Sequence, residues 1–239
     1  LIRHKKSKLL FLKGEESLKG SQARASGEWK NIGGGSLIRA GVHPLSSLLM
    51  LKQTEAKARG EVIGIASVTA DTGTATRSLN KYDHRYIAAD PTDVEDYASL
   101  SITFTDGTKA QVNASDLLLG GTRGFIEAYS SDGVLYGKIS PVDIVKSYYL
   151  DEDGLEDVEL SEMLLTKTGW NNPFVADETI RGFLGELQDF VECIQTGREP
   201  ISNFALARDT MKVVYAAYQS AEEGRRIWPV ISLWYSDFS

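Results

Sequence analysis

The spacing of hydrophobic residues along this 239-residue chain changes period twice. After a short strand-like run, Leu9-Leu10-Phe11-Leu12, the stretch from Gly14 to Asn31 is polar and glycine-containing. It reads as a loop leading into Gly33-Gly34-Gly35. From Ser36 to about Ala58 the apolar positions Leu37, Ile38, Val42, Leu45, Leu48, Leu49 and Leu51 recur every three or four residues. That spacing predicts a helix with Ser36 as its N-cap. Pro44 either kinks the helix or marks where its regular part begins.

The period then becomes two. Val62 to Thr69 reads as a strand, and in Ala98 to Thr105 the residues Leu100, Ile102 and Phe104 alternate with Ser99, Ser101, Thr103 and Thr105. Asp106-Gly107 is a hairpin signal, with Thr108 to Ser115 as the return strand. A second hairpin joins Phe125–Ser130 to Val134–Ile139 through Ser131-Asp132-Gly133. Such strands predict an antiparallel sheet with one apolar face and a second face of hydroxyl, amide and small side chains, either solvated or covered by another subunit. The acidic stretch from Asp151 to Glu162 is followed by Thr168 to Phe174, which reads as a loop.

Helical spacing returns near the end. Ile180, Phe183, Leu184, Leu187, Phe190, Val191 and Ile194 form one apolar stripe, stopped by Gly197 with Pro200 beyond. Leu206, Met211, Val214, Tyr215 and Tyr218 form another, capped by Ser202 or Asn203 and stopped by Gly224. Both stripes are expected to cover the sheet's apolar face. The order of elements gives a single α+β domain over residues 1–239: an open-faced, mostly antiparallel sheet with helices packed on one side.

Composition narrows the function classes. With 42% hydrophobic and 25% charged residues the chain matches ordinary globular proteins. The net charge of -7 is spread along the sequence, so a nucleic-acid partner is not expected. Apolar runs fall far short of the ~20 residues of a membrane span. The one cysteine, Cys193, excludes an intrachain disulfide, fits a cytoplasmic setting and reads as inert packing in its helix stripe. The chain opens Leu-Ile-Arg rather than on methionine, as a fragment of a longer protein would.

Candidate chemistry concentrates at the glycine triplet. Gly34 and Gly35 offer close backbone approach, and helix-start amides attract negative charge. Arg39 and His43 stand four residues apart, so on a helix they share a face where an anion grip and a proton-exchanging group could meet one small molecule. Arg39 reads equally well as a salt-bridge partner. No histidine has companions at metal-ligand spacing. The acidic clusters Asp93-Glu95-Asp96 and Asp151-Glu152-Asp153 read as solvated loop charges, so no metal site is expected. The triplet lacks the spacing of a dinucleotide fingerprint, and no phosphate loop of the Walker type occurs.

The run from Gly27-Glu28-Trp29 through Gly33-Gly34-Gly35-Ser36-Leu37 to Gly41-Val42-His43-Pro44 resembles the carboxy-terminal domain of the Gfo/Idh/MocA oxidoreductases, named after glucose-fructose oxidoreductase and inositol dehydrogenase. The run Glu186 to Pro200, followed by Ala216 to Arg226, is similar to that family's terminal helix pair. The resemblance implies the open-faced sheet of dihydrodipicolinate-reductase-like carboxy-terminal domains. It also implies an amino-terminal Rossmann domain, not contained in these residues, that binds most of an NAD or NADP cofactor. It implies reversible oxidation of a hydroxyl on a sugar, polyol or related acid, with hydride passing to the nicotinamide. His43 matches the family's substrate-pocket histidine, whereas Arg39 stands where many members carry aspartate, which would favour an anionic substrate. Trp170, Asn171 and Asn172 would add stacking and amide contacts. The open face would pair with a second subunit in a homo-oligomer; the tail residues Trp228, Trp234, Tyr235 and Phe238 read equally well as part of that contact or as packing back onto their own domain. The alternative is a non-catalytic binding or oligomerisation module that kept the fold without the chemistry.

Overall fold

The computed structural model describes residues 2–21, 23–119, 122–138, 145–153, 155, 167–171, 182–229 and 231–232. Its centre is a nine-stranded sheet in the order β8-β7-β6-β5-β1-β4-β3-β2-β9. The strands are β1 (Leu9–Ser17), β2 (Gly64–Gly73), β3 (Tyr97–Phe104), β4 (Lys109–Ser115), β5 (Arg123–Ser130), β6 (Gly133–Lys138), β7 (Val145–Tyr149), β8 (Gly169–Asn171) and β9 (Ile231–Ser232). All neighbours are antiparallel except β1 and β4. Both glycine-bearing hairpins form at their predicted turns. The α+β reading therefore holds.

Short helices α1 (Ile2–Lys5) and α2 (Trp29–Ile32) precede the long α3 (Val42–Arg59), and α4 (Phe183–Thr196) and α5 (Phe204–Glu223) follow the strands. A π-helical turn, Leu37–Gly41, leads directly into α3. Pro44 accounts for this widening: it cannot donate to the carbonyl of Ala40, and its ring crowds that carbonyl out of the ordinary ladder. The regular helix begins two residues before the proline. Asn203 caps α5 as expected, its Oδ1 accepting from the Leu206 amide at 2.9 Å.

The core lies between one sheet face and the pair α3 and α5. Leu45, Leu48 and Leu49 of α3 and Val213, Val214 and Ala217 of α5 pack with Leu12, Leu100, Ile102, Phe104 and Val112. At the far end of α3, fully buried Lys52 bonds to Glu55, to Asp106 Oδ2 at 2.9 Å and to Thr108 Oγ1 at 2.9 Å. The Leu9 amide donates to Glu55 at 3.0 Å. This buried network ties the helix to β1 and to the β3–β4 turn.

Three expectations change. The loop assigned from Gly14 is strand as far as Ser17, because β1 is held by β4 on one side and β5 on the other. Gly169–Asn171 is likewise an edge strand paired to β7. Helix α4 ends at Gly197 as predicted but does not bury its stripe from Phe183 on, Phe190 being 63% and Ile194 70% exposed; Ile180 lies outside the described residues. Periodicity shows that a helix has an apolar face, and what meets that face is a tertiary property. Cys193 accordingly sits outside any core, with Arg198 Nη1 donating to its Sγ at 3.1 Å.

The sheet face turned away from α3 and α5 has two halves. Ser99, Ser101, Thr103, Gln111 and Asn113 occupy the half formed by β3 and β4, as the alternation predicted. Across β1 and β5–β8 the face is aromatic and charged instead. Phe11, Tyr129, Tyr136 and Trp170 follow one another with ring centroids 5.6, 5.9 and 5.7 Å apart. Lys13 lies over Phe125, and Lys146 over Trp170.

Candidate functional site

The glycine triplet is built around an internal anion. Glu95, 7% exposed, accepts the Gly35 amide on Oε2 at 2.8 Å and the Leu37 amide on Oε1 at 2.9 Å, while its backbone carbonyl accepts the Ser36 amide at 3.0 Å. Tyr218 of α5 donates its hydroxyl to Oε1 at 2.9 Å. A Cβ on Gly35 would collide with the Glu95 backbone, and one on Gly34 with the Tyr218 ring. The amides at this helix start do attract negative charge, and the charge is the protein's own. Gly34 and Gly35 therefore face protein atoms. Ser36 does not cap; the Glu95 carboxylate takes that role. Burial pushes the Glu95 carboxyl up, against the hydrogen bonds that favour its charged form.

The cluster read as solvated loop charge is thus structural throughout. Asp93 Oδ1 accepts the Trp29 amide at 2.6 Å at the start of α2. Fully buried Asp96 accepts the Ala75 amide at 2.7 Å, the Thr76 amide at 2.9 Å and the Thr76 hydroxyl at 2.5 Å. These three acids tie the loop before β3 to three other segments, a role that composition does not reveal.

His43 and Arg39 take different surroundings. Arg39 Nη2 pairs with Asp116 at the end of β4, and the guanidinium Nε is buried without a hydrogen-bond partner among the described residues. Burial raises the Asp116 carboxyl, Arg39 opposes this, and the charge of Asp96 adds to the rise. His43 instead lines a cleft of about 240 Å³ with Glu16, Pro44, Ser47, Ile126 and Lys138. Arg39 is not among the residues of that cleft. The cleft lies where the start of α3 meets β1, β5 and β6. Gly14 permits this close approach: a Cβ there would stand 2.8 Å from the Pro44 Cβ.

His43 Nδ1 lies 2.9 Å from Glu16 Oε2, with the histidine side chain 63% and the glutamate 13% exposed. The hydrogen bond to the Glu16 carboxylate raises the imidazole pKa, and partial burial works against it. Ser46 and Ser47 donate their hydroxyls to the His43 carbonyl at 3.0 and 2.9 Å, which steadies the first turn of α3. Glu16 was hidden in the stretch read as loop. Once β1 is known to run to Ser17, the phase of Leu12 and Gly14 puts Glu16 on the same face, but the sequence carries no separate signal for it. Trp170 lies in the aromatic row of the open face, and Asn171 is buried, with its Nδ2 donating to the carbonyls of Lys167 at 2.8 Å and Gly169 at 3.1 Å. Neither lines the His43 cleft, and Asn172 lies outside the described residues.

A family model described as the GFO/IDH/MocA C-terminal domain matches residues 10–136, more than half of the sequence. The chain belongs to the GFO/IDH/MocA family. Solved structures of similar fold include GenD2 from gentamicin A biosynthesis in complex with NAD, with TM-score 0.61 and 21% identity over 93% of this chain and 56% of that one. Levoglucosan dehydrogenase in complex with NADH and levoglucosan gives 0.66 and 15% over 93% and 59%. Aldose-aldose oxidoreductase from Caulobacter crescentus, complexed with glycerol, gives 0.62 and 19% over 92% and 56%. No curated protein matches this sequence. The chain thus spans less than two thirds of the length of these GFO/IDH/MocA-like structures, and at such identities the likeness is one of fold. No described helix is long and apolar enough to cross a membrane.

Proposed function

We propose that this GFO/IDH/MocA domain forms the substrate side of an oxidoreductase that converts a sugar or polyol hydroxyl to a carbonyl, with His43 exchanging the hydroxyl proton. The observation that carries this reading is His43 at the cleft between α3 and the sheet, held by a carboxylate. An imidazole accepts a proton near neutral pH, and a positioned general base contributes ~10²–10⁴-fold to rate. The reaction also removes a hydride from carbon, and its acceptor would be an NAD-type dinucleotide, the cofactor named with GenD2 and levoglucosan dehydrogenase. The glycine-opened helix start does not fit the pyrophosphate of such a cofactor. Its amides already hold Glu95, whose charge repels phosphate. Further residues beyond this sequence would hold it, and His43 accounts for the proton alone.

The pairing of Arg39 with Asp116 favours a neutral polyhydroxyl substrate over the anionic one suggested by Arg39 alone. The test is turnover of the intact enzyme with NAD on a panel of aldoses, polyols and sugar acids. His43→Ala is expected to lower kcat/KM by ~10²–10⁴-fold; an unchanged rate overturns the assignment. The aromatic half of the open face supports pairing with a second copy of the chain, since exposed Trp170 and its tyrosine neighbours resemble an interface core in composition. Sedimentation at micromolar concentration is expected to give a dimer or larger, and a monomer removes that part of the reading.

A further inference from the structure

We propose that Glu16 is a positioning residue for His43: its carboxylate keeps the hydrogen on Nδ1 and so leaves Nε2 as the nitrogen that exchanges a proton with a hydroxyl in the cleft. The proposal rests on the reading of His43 as a proton acceptor and adds the group that sets its tautomer and basicity.

Three observations carry it. The first is contact: Glu16 Oε2 and His43 Nδ1 are 2.9 Å apart, and an ionised carboxylate only accepts hydrogen bonds, so the facing nitrogen must bear the hydrogen. The second is rigidity. Glu16 lies on the central strand β1, in register with Ala114 of β4 on one side and Gly124 of β5 on the other, so its backbone is fixed from both edges. Gly124 carries no side chain that could crowd the carboxylate. The third is exclusivity: His43 is the hydrogen-bond partner of the Glu16 carboxylate among the described residues, whereas the adjacent Glu15 is engaged by the Ser17 hydroxyl at 2.9 Å and by Arg123 at 3.5 Å.

The charged groups facing His43 across the cleft are Glu15 and Glu16 from β1 and Lys138 from β6. Arg39, on the preceding turn, is held by Asp116. Among the described residues, Glu16 alone is within hydrogen-bond distance of the ring. When the hydroxyl O–H bond breaks, the proton forms an N–H bond at Nε2, and the resulting imidazolium charge faces Glu16 directly. That arrangement stabilises the protonated ring and makes Nε2 a stronger base.

The test is Glu16→Gln in the intact enzyme, read in two ways. An amide can present either its oxygen or its NH2 group to Nδ1 and carries no charge, so both the tautomer bias and the electrostatic support are lost. The His43 ring titration, followed by NMR and assigned by its absence in His43→Ala, is expected to move to lower pH. The inflection of kcat/KM against pH is expected to move with it, and the plateau to fall about 10²-fold, the low end of what a general base supplies. Glu16→Asp keeps the charge on a shorter arm and is expected to titrate closer to wild type than Glu16→Gln does. Thermal unfolding of each variant establishes that it is folded. A His43 titration unchanged in Glu16→Gln overturns the proposal, as does a rate profile that fails to follow the ring. Failure of the general-base reading is distinct: it appears as undiminished turnover in His43→Ala, while the NMR titration still decides the role of Glu16.

Discussion

Replacing Glu95 by alanine would withdraw the acceptor on which three donors converge: the amides of Gly35 and Leu37 and the hydroxyl of Tyr218. Each buried donor left without a partner costs about 1–3 kcal/mol. The loss is moderated because the buried carboxylate is itself costly, as its raised pKa shows. A net destabilisation of about 3 kcal/mol is expected, roughly one unit per orphaned donor. Tyr218→Phe removes one of the three donors and leaves the carboxylate with the two amides, so about 1 kcal/mol is expected there. Urea unfolding at neutral pH measures both, and the Glu95→Ala midpoint should fall by about 1 M or more at an unchanged slope. Trp29 stacks edge-on against Tyr218 with centroids 5.1 Å apart, so its fluorescence reports on this region. The sign with pH is also fixed. Because the folded Glu95 binds its proton more readily than the unfolded one, its contribution is fully present below the unfolded pKa of 4.5 and declines as pH rises through the raised folded value. Glu95→Gln should lack that limb. A Glu95→Ala penalty no larger than that of Tyr218→Phe would refute the reasoning.

Two further outcomes follow from other parts of the fold. Lys52→Met strands the fully buried Glu55 charge and is expected to cost about 3–5 kcal/mol in equilibrium unfolding. Lys52→Met/Glu55→Gln should recover much of this, because glutamine still accepts the Leu9 amide. His43 has a folded pKa raised by Glu16, so the stability from that pair is fully present below the unfolded value of 6.5 and is lost as pH rises through the folded one. A comparison of Tm in wild type and Glu16→Gln at pH 5.5 and pH 8.5 should show a gap at the lower pH that closes at the higher; a gap of equal size at both refutes the pairing.

Local pattern carried much of this architecture. The hairpin at Asp106-Gly107, the strands from Tyr97 to Ser115, the start of α5 at Asn203 and the stop of α4 at Gly197 follow from turn chemistry and period, which act over a few residues. His43 was legible as a candidate because a glycine-opened helix start is a local signal. Glu16 was not, since Gly14-Glu15-Glu16-Ser17 has neither apolar alternation nor strand propensity, and it becomes strand by pairing on both edges.

The amino-acid order thus specifies a helix over α3, an alternating sheet with one apolar face, and a histidine at the helix start as a candidate for proton exchange. It does so because periodicity and capping depend on neighbours along the chain. Which groups meet across the fold depends on residues far apart in sequence: Glu95 with the glycine amides and Tyr218, Asp116 with Arg39, Glu16 with His43. A carboxylate reads the same in sequence whether it is solvated, buried as a cap or aimed at an imidazole. Its chemistry is set by the dielectric and the donors that folding brings to it.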